Sequence, residues 1–273
     1  MGTPYYFKEM EKLSEEKVTK YFILGDIHGS ANPIWNFYRN VKEELCGDDW
    51  LILVGDSGLN YYGNKRDIPV KGELSMLPFK YFVIRGNHDR RPSSVETMRE
   101  VDIFGGKGYV EEKYPNIYYA KDDVNLYDIA GYKTVVIPGA YSVDKYYRLL
   151  NHYHWFKDEQ LSEEEKSKGL DLLNSIDWKC DVVLSHTCPK IYMPADLFLP
   201  FIDQSTVDNS MEEYLGGIEF KLQYKLWVWG HYHHYRVYPL EDGKQKLMLF
   251  NDKAIELQEW MSGSLKSYNC FKG

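Results

Sequence analysis

Tyr21-Phe22-Ile23-Leu24-Gly25-Asp26-Ile27-His28-Gly29 is the stretch whose reading decides the architecture. Four apolar residues run unbroken into a Gly-Asp step, and a polar pair, Asp26 and His28, follows at once. An uninterrupted apolar run of this length predicts a strand covered on both faces. The same grammar returns four times. Trp50–Val54 leads into Gly55-Asp56-Ser57-Gly58, and Tyr81–Ile84 into Gly86-Asn87-His88-Asp89. Val182–Leu184 leads into Ser185-His186-Thr187, and Leu226–Trp229 into Gly230-His231-Tyr232-His233.

Between these strands the apolar period changes. From Asn32 to Glu44, Ile34, Phe37, Tyr38, Val41 and the following Leu45 recur at helical spacing, and Asp158 to Ile176 reads as a charged helix opening at Lys157-Asp158-Glu159-Gln160. Residues from Ile117 to Pro138 read as antiparallel strands turning at Ala130-Gly131, and Tyr235 to Leu257 alternates like further strand. The expectation is a mixed α/β sandwich with its polar motifs at strand ends. No repeat and no Pro/Gly/Ser-rich linker divides the 273 residues, which predicts one domain over 1–273 with residues 1–19 as an N-terminal extension.

Bulk composition narrows the function. A net charge of −8 with no Lys/Arg-rich run argues against coating of duplex nucleic acid, which needs a basic stripe. Cys46, Cys180, Cys188 and Cys270 form no CxxC pair, as expected of reduced thiols. Cys188 stands near His186, where a packed thiol and a soft metal ligand are both readings. No apolar run approaches bilayer length, and the opening residues lack the apolar core of a signal peptide. The expectation is a soluble, cytoplasmic protein.

Among the residues of the five strand-end blocks are the carboxylates Asp26 and Asp56, the amide Asn87 and the histidines His28, His88, His186, His231 and His233. Carboxylate oxygen and imidazole nitrogen suit manganese, iron or zinc, whereas structural zinc calls for thiolates. Loops at the ends of stiff strands can gather such donors into one crevice. A carboxylate such as Asp56 can bridge two cations about 3.5–4 Å apart, the spacing of two-metal hydrolytic sites. Taken singly, Asp26 and Asp56 could be turn residues or helix caps, and Asn87 a turn former. Five of the eight histidines at such positions make coincidence a poor account.

In their order, D-x-H, G-D, G-N-H-D, a lone H and G-H-x-H, the blocks resemble the signature of the calcineurin-like metallophosphoesterases, a superfamily that includes phosphoprotein phosphatases and phosphodiesterases. The resemblance extends from Gly25 to His233. It implies a four-layer αββα sandwich, two mixed sheets flanked by helices, with a dinuclear centre of two divalent cations, manganese first and iron or zinc as alternatives. Carried over, Asp26, His28 and His233 would hold one cation, Asn87, His186 and His231 the other, and Asp56 would bridge. His88 would stand by the reacting phosphate as general acid or electrostatic stabiliser while a metal-bridging hydroxide attacks.

One departure bears on substrate. Phosphoprotein phosphatases extend the second block to G-D-x-x-D-R, and here those last two positions are Leu59 and Asn60. Leu59 cannot orient His88, and Asn60 can hydrogen-bond phosphate but brings no charge. Asn60, Arg90, Tyr141 and Arg148 are the candidate substrate contacts, with Arg91, Ser142, Lys145, His152 and His154 close by in sequence. The implied activity is hydrolysis of phosphate mono- or diesters, the substrate being a small molecule, a nucleotide or a phosphoprotein. A phosphoprotein Ser/Thr phosphatase and a non-catalytic scaffold on the same fold are the alternatives, and the oligomeric state is open.

Overall fold

A computed structural model describes residues 18–271. The expected N-terminal extension, residues 1–19, therefore lies almost wholly outside the described residues. The strands are β1 (Tyr21–Leu24), β2 (Trp50–Val54), β3 (Lys80–Ile84), β4 (Met98–Ile103), β5 (Gly106–Glu111), β6 (Tyr114–Ala120) and β7 (Asn125–Ile129). They continue with β8 (Tyr132–Ile137), β9 (Val182–Ser185), β10 (Leu226–Trp229), β11 (Arg236–Val237), β12 (Gln245–Met248), β13 (Lys253–Glu256) and β14 (Ser267–Asn269). The helices are α1 (Asn32–Val41), α2 (Ile68–Ser75), α3 (Lys145–Leu150), α4 (Glu163–Ser175), α5 (Ser210–Lys221) and α6 (Leu257–Met261).

Two mixed sheets form. The larger runs β14-β13-β1-β2-β3-β6-β5-β4 and the smaller β11-β12-β10-β9-β8-β7. At their hearts β1, β2 and β3 are parallel neighbours, as are β8, β9, β10 and β12. Strand pleating explains why the apolar runs are continuous. In β2, Leu51 and Leu53 point out to Ile34, Phe37 and Val41 of α1 and Leu74 of α2, while Ile52 and Val54 point in. In β10, Leu226 and Val228 face Ile52 and Ile84 across the two sheets, while Trp227 and Trp229 face Leu173 of α4 and Met211 and Leu215 of α5. Three apolar interfaces thus separate four layers, the αββα arrangement expected.

Three segments depart from the sequence reading. Helix α4 begins at Glu163, not near Asp158, because Ser162 caps it and closes a capping box with Glu165, and three glutamates line its first turn. The hairpin at Ala130-Gly131 forms with both residues at positive φ, the geometry of a tight two-residue turn, but it joins only β7 and β8. Strand β6, in the same stretch, pairs with β3 in the other sheet. The β4–β5 hairpin turns at Phe104-Gly105, also both at positive φ, a turn pair that sequence does not advertise. Among the described residues no helix is long and apolar enough to cross a membrane.

Candidate metal centre

Every polar block sits where its strand predicts, at the C-terminal end of β1, β2, β3, β9 or β10. Since these strands are parallel within each sheet, their loops emerge at one edge, three from the larger sheet and two from the smaller. The loops turn sharply. His28, Asp56, His231 and His233 all have positive φ, between 43° and 70°, a region L-residues enter only under constraint. Two glycines permit the close approach. A Cβ on Gly55, itself at φ 100°, would lie 1.9 Å from Nδ1 of His186, and one on Gly230 would lie 2.1 Å from Oδ1 of Asp26.

The donors converge on two adjoining clusters. Asp26, His28 and His233 place one ligand atom each within 4.8 Å of one another, and so do Asp26, Asp56 and His186. His233 Nε2 is 3.7 Å from Asp26 Oδ2, and His186 Nε2 is 3.5 Å from Asp56 Oδ1. Asn87 Oδ1 lies 2.9 Å from His186 Nε2, and the His231 ring centroid is 5.1 Å from that of His186. His88 borders the group, with Nε2 at 3.9 Å from Asp56 Oδ2. The structure therefore brings Asp26, His28, Asp56, Asn87, His88, His186, His231 and His233 into one place.

Backbone and neighbouring side chains fix how these donors face. His231 N–H donates to both oxygens of Asp26, and His88 N–H donates to Asp56 Oδ1. His186 Nδ1 meets the Val54 carbonyl at 2.9 Å, so Nδ1 carries a proton and Nε2 turns to the centre. The Asn87 amide nitrogen donates to Ser142 Oγ at 3.0 Å, which turns its Oδ1 inward. Ser142 in turn donates through N–H and Oγ to the carboxylate of Glu159. Asp89 accepts from the N–H groups of Ser57, Gly58 and Gly86, tying the second and third loops together.

Electrostatics describe a site short of positive charge. Burial, reinforced by the Asp56 charge, pushes the Asp26 carboxyl up to about 8. Asp56 is held well below the usual carboxylate range, against the effect of burial, by His186 and His88. Burial lowers His28 to about 4 and also depresses His231 and His233, which keeps these imidazoles neutral. Burial opposes a charge on His186 too, yet Asp56 and Asp26 raise it to about 9. The proton so attracted stands where cationic charge is wanted.

The residues fit divalent cations. With Nδ1 of His186 engaged by Val54, its Nε2 and Asn87 Oδ1 are two inward-facing groups 2.9 Å apart, and His28 Nε2 and His233 Nε2 face each other at 2.8 Å. Lone pairs so close repel unless a proton or a metal lies between them. An all-oxygen-and-nitrogen set of this kind suits manganese, iron or zinc.

The four candidate substrate contacts divide. Arg148 Nη2 lies 3.1 Å from His88 Nε2, and Tyr141 lines a cavity that adjoins the centre. Asn60 is buried, and its Oδ1 accepts from Lys71 Nζ at 2.8 Å, away from the donors. Arg90 lies over the Phe156 ring and borders a separate surface pocket with Lys71 and Glu111. Arg91 turns away to Glu165 and the Asp158 carbonyl, and Lys145 lies over Trp155. Cys188 is buried against Tyr232, outside both donor clusters. Glu159 escaped sequence reasoning because its tetrapeptide looks like a helix start. Arg66, stacked over Tyr62 beside the centre, carried no motif at all.

Residues 19–235 match the sequence profile of the calcineurin-like phosphoesterases. No curated protein matches the chain by sequence. Among solved structures, the protein TT1561 of Thermus thermophilus is similar with a TM-score of 0.53 and 11% identity, over 93% of this chain and 100% of that one. A dimetal phosphatase from Danio rerio is similar with a TM-score of 0.51 and 12% identity, over 94% of this chain and 98% of that one. At such identities these likenesses speak for the fold, while the profile spans most of the chain and all five blocks. This chain belongs to the calcineurin-like phosphoesterase family.

Proposed function

We propose that the chain hydrolyses small-molecule phosphate esters at a centre of two divalent cations, manganese first. The observation that carries this reading is the pair of close contacts between inward-facing donors, His186 with Asn87 and His28 with His233, around the buried carboxylates Asp26 and Asp56. In this reading Asp26, His28 and His233 would hold one cation and Asn87, His186 and His231 the other, with Asp56 as a further carboxylate ligand. Such cations, when bound, activate water as nucleophile and offset charge on the phosphoryl oxygens.

The chain's own groups do the rest. Arg148 is braced by Asp144 at 2.8–2.9 Å, by the Tyr61 hydroxyl at 3.1 Å and by the His154 carbonyl at 3.2 Å. That bracing holds a planar guanidinium ready for a phosphoryl oxygen. It supplies the charge that Asn60 lacks. Once the phosphoryl group has drawn Arg148 away, His88 Nε2 takes up a proton from solvent and passes it to the departing oxygen. Tyr141 lines the cavity beside the centre.

Leu59 is fully buried in the apolar core and Asn60 is held by Lys71, so neither position serves the role it has in phosphoprotein phosphatases. That favours small esters over phosphoproteins. The test is hydrolysis of 4-nitrophenyl phosphate and bis(4-nitrophenyl) phosphate with manganese, before and after chelation. Turnover abolished by chelator and restored by manganese is expected; no turnover with manganese, iron or zinc refutes the reading and favours a scaffold.

A further inference from the structure

A cavity of about 430 Å³ opens directly against the centre and shares Asp56, Asn87, His88, His231 and His233 with it. That volume is within the roughly 300–1,000 Å³ typical of small-molecule sites. Its far wall comes from the segment between β9 and α5, through Met193, Leu197, Phe198, Leu199, Ile202 and Val207. Among the described residues no lysine or arginine lines it. Its carboxylates are engaged elsewhere. Asp208 accepts from Gln160 Nε2 and Ser210 N–H, Glu212 from Thr187 Oγ1, and Asp144 holds Arg148.

A second cleft, of about 400 Å³, also meets His88 and has a different character. Tyr61, Tyr62, Arg66 and Arg148 line it, and the Arg66 guanidinium lies 3.7 Å above the Tyr62 ring. His88 thus stands where an apolar chamber and a polar, arginine-bearing one meet.

We propose that the substrate is an amphiphilic phosphodiester, with an apolar alcohol seated in the cavity and a polar alcohol in the arginine-bearing cleft. This rests on the reading of the centre as a phosphoesterase site and narrows its substrate class. A monoester has one organic group and leaves one chamber without an occupant. A peptide or nucleobase in the cavity would press its polar atoms against a mostly apolar far wall, with Gln204 and Asn209 as the uncharged amides in reach, which costs binding. A hydrocarbon chain loses nothing there and removes the apolar wall from water.

The probes are glycerol phosphodiesters of methanol, butanol and octanol, with octyl phosphate as the monoester, followed by phosphorus NMR with manganese present. Since each buried methylene is worth roughly fourfold in affinity, kcat/KM should rise by about tenfold or more from methyl to octyl. The octyl diester should also outrun octyl phosphate. A flat or falling chain-length series, or a faster monoester, overturns the proposal. Leu199→Asp, at a half-exposed position that spares the fold, and Val207→Asp should each cut the octyl advantage to less than about threefold by charging the wall. An advantage that survives in both places the chain elsewhere and overturns it.

Calorimetric binding of octylphosphonate and methylphosphonate separates this inference from the reading beneath it. Preference for the octyl compound supports the cavity assignment even if no ester turns over, an outcome that would sink the phosphoesterase reading alone. Equal affinities overturn the assignment and leave the apolar wall to a protein partner.

Discussion

The Nη2 of Arg148 lies 3.1 Å from the Nε2 of His88, and a guanidinium has no acceptor to offer. The contact therefore puts a lone pair on His88 Nε2 and poises Arg148 at the mouth of the centre. Arg148→Ala should lower kcat/KM by about 10- to 100-fold, as expected for loss of a charged hydrogen bond to phosphate. Arg148→Lys should recover only part of it, since an ammonium cannot keep Asp144, Tyr61 and the phosphate together. Steady-state kinetics on 4-nitrophenyl phosphate checks both variants.

His88 and Asp56 should separate chemistry from metal binding. His88→Ala is expected to retain cations and lose about 10²–10⁴-fold in kcat, the usual share of a positioned proton donor. Asp56→Ala should lose the cations themselves, because its buried carboxylate forms a donor cluster with Asp26 and His186. Metal analysis of the purified variants, beside their kinetics, distinguishes the two.

Ser142 and Glu159 touch no candidate cation position, yet they set which atom of Asn87 turns inward. Ser142→Ala and Glu159→Gln should each weaken manganese affinity by about 10- to 100-fold, the usual cost of losing an orienting partner. A manganese titration read by thermal shift gives the number. Unchanged affinity in both variants would mean that Asn87 needs no such orientation.

Gly230→Ala should act as a wedge. Its new Cβ would meet Asp26 Oδ1 at 2.1 Å and the Val54 carbonyl oxygen at 3.0 Å, within a shell that has no slack. Overpacking of this kind costs about 1–3 kcal/mol. Urea denaturation should show that loss, and manganese should stabilise the variant less than the parent.

Much of the frame was legible in the residues. The strands ending at Leu24, Val54, Ile84 and Trp229 end where their apolar runs stop, because burial on both faces leaves a local signature in the sequence. The five blocks could be placed for the same reason. The substrate side was less legible. Arg148 stood among the candidates, but Arg66 and Glu159 are brought to the centre or its support by tertiary packing, and no spacing rule encodes that. Arg90 shows the converse. It follows the Gly86–Asp89 block closely, yet the chain has turned by then and its side chain lies over Phe156.

The donors are divided between the sheets, with Asp26, His28, Asp56 and Asn87 following strands of the larger and His186, His231 and His233 following strands of the smaller. Neither sheet can keep half a working centre by itself. Sliding one layer an ångström over its neighbour would part His28 from His233 and Asn87 from His186 together. Cation loading would thus act as a clasp across the seam of the sandwich and report on how faithfully the two halves are mated.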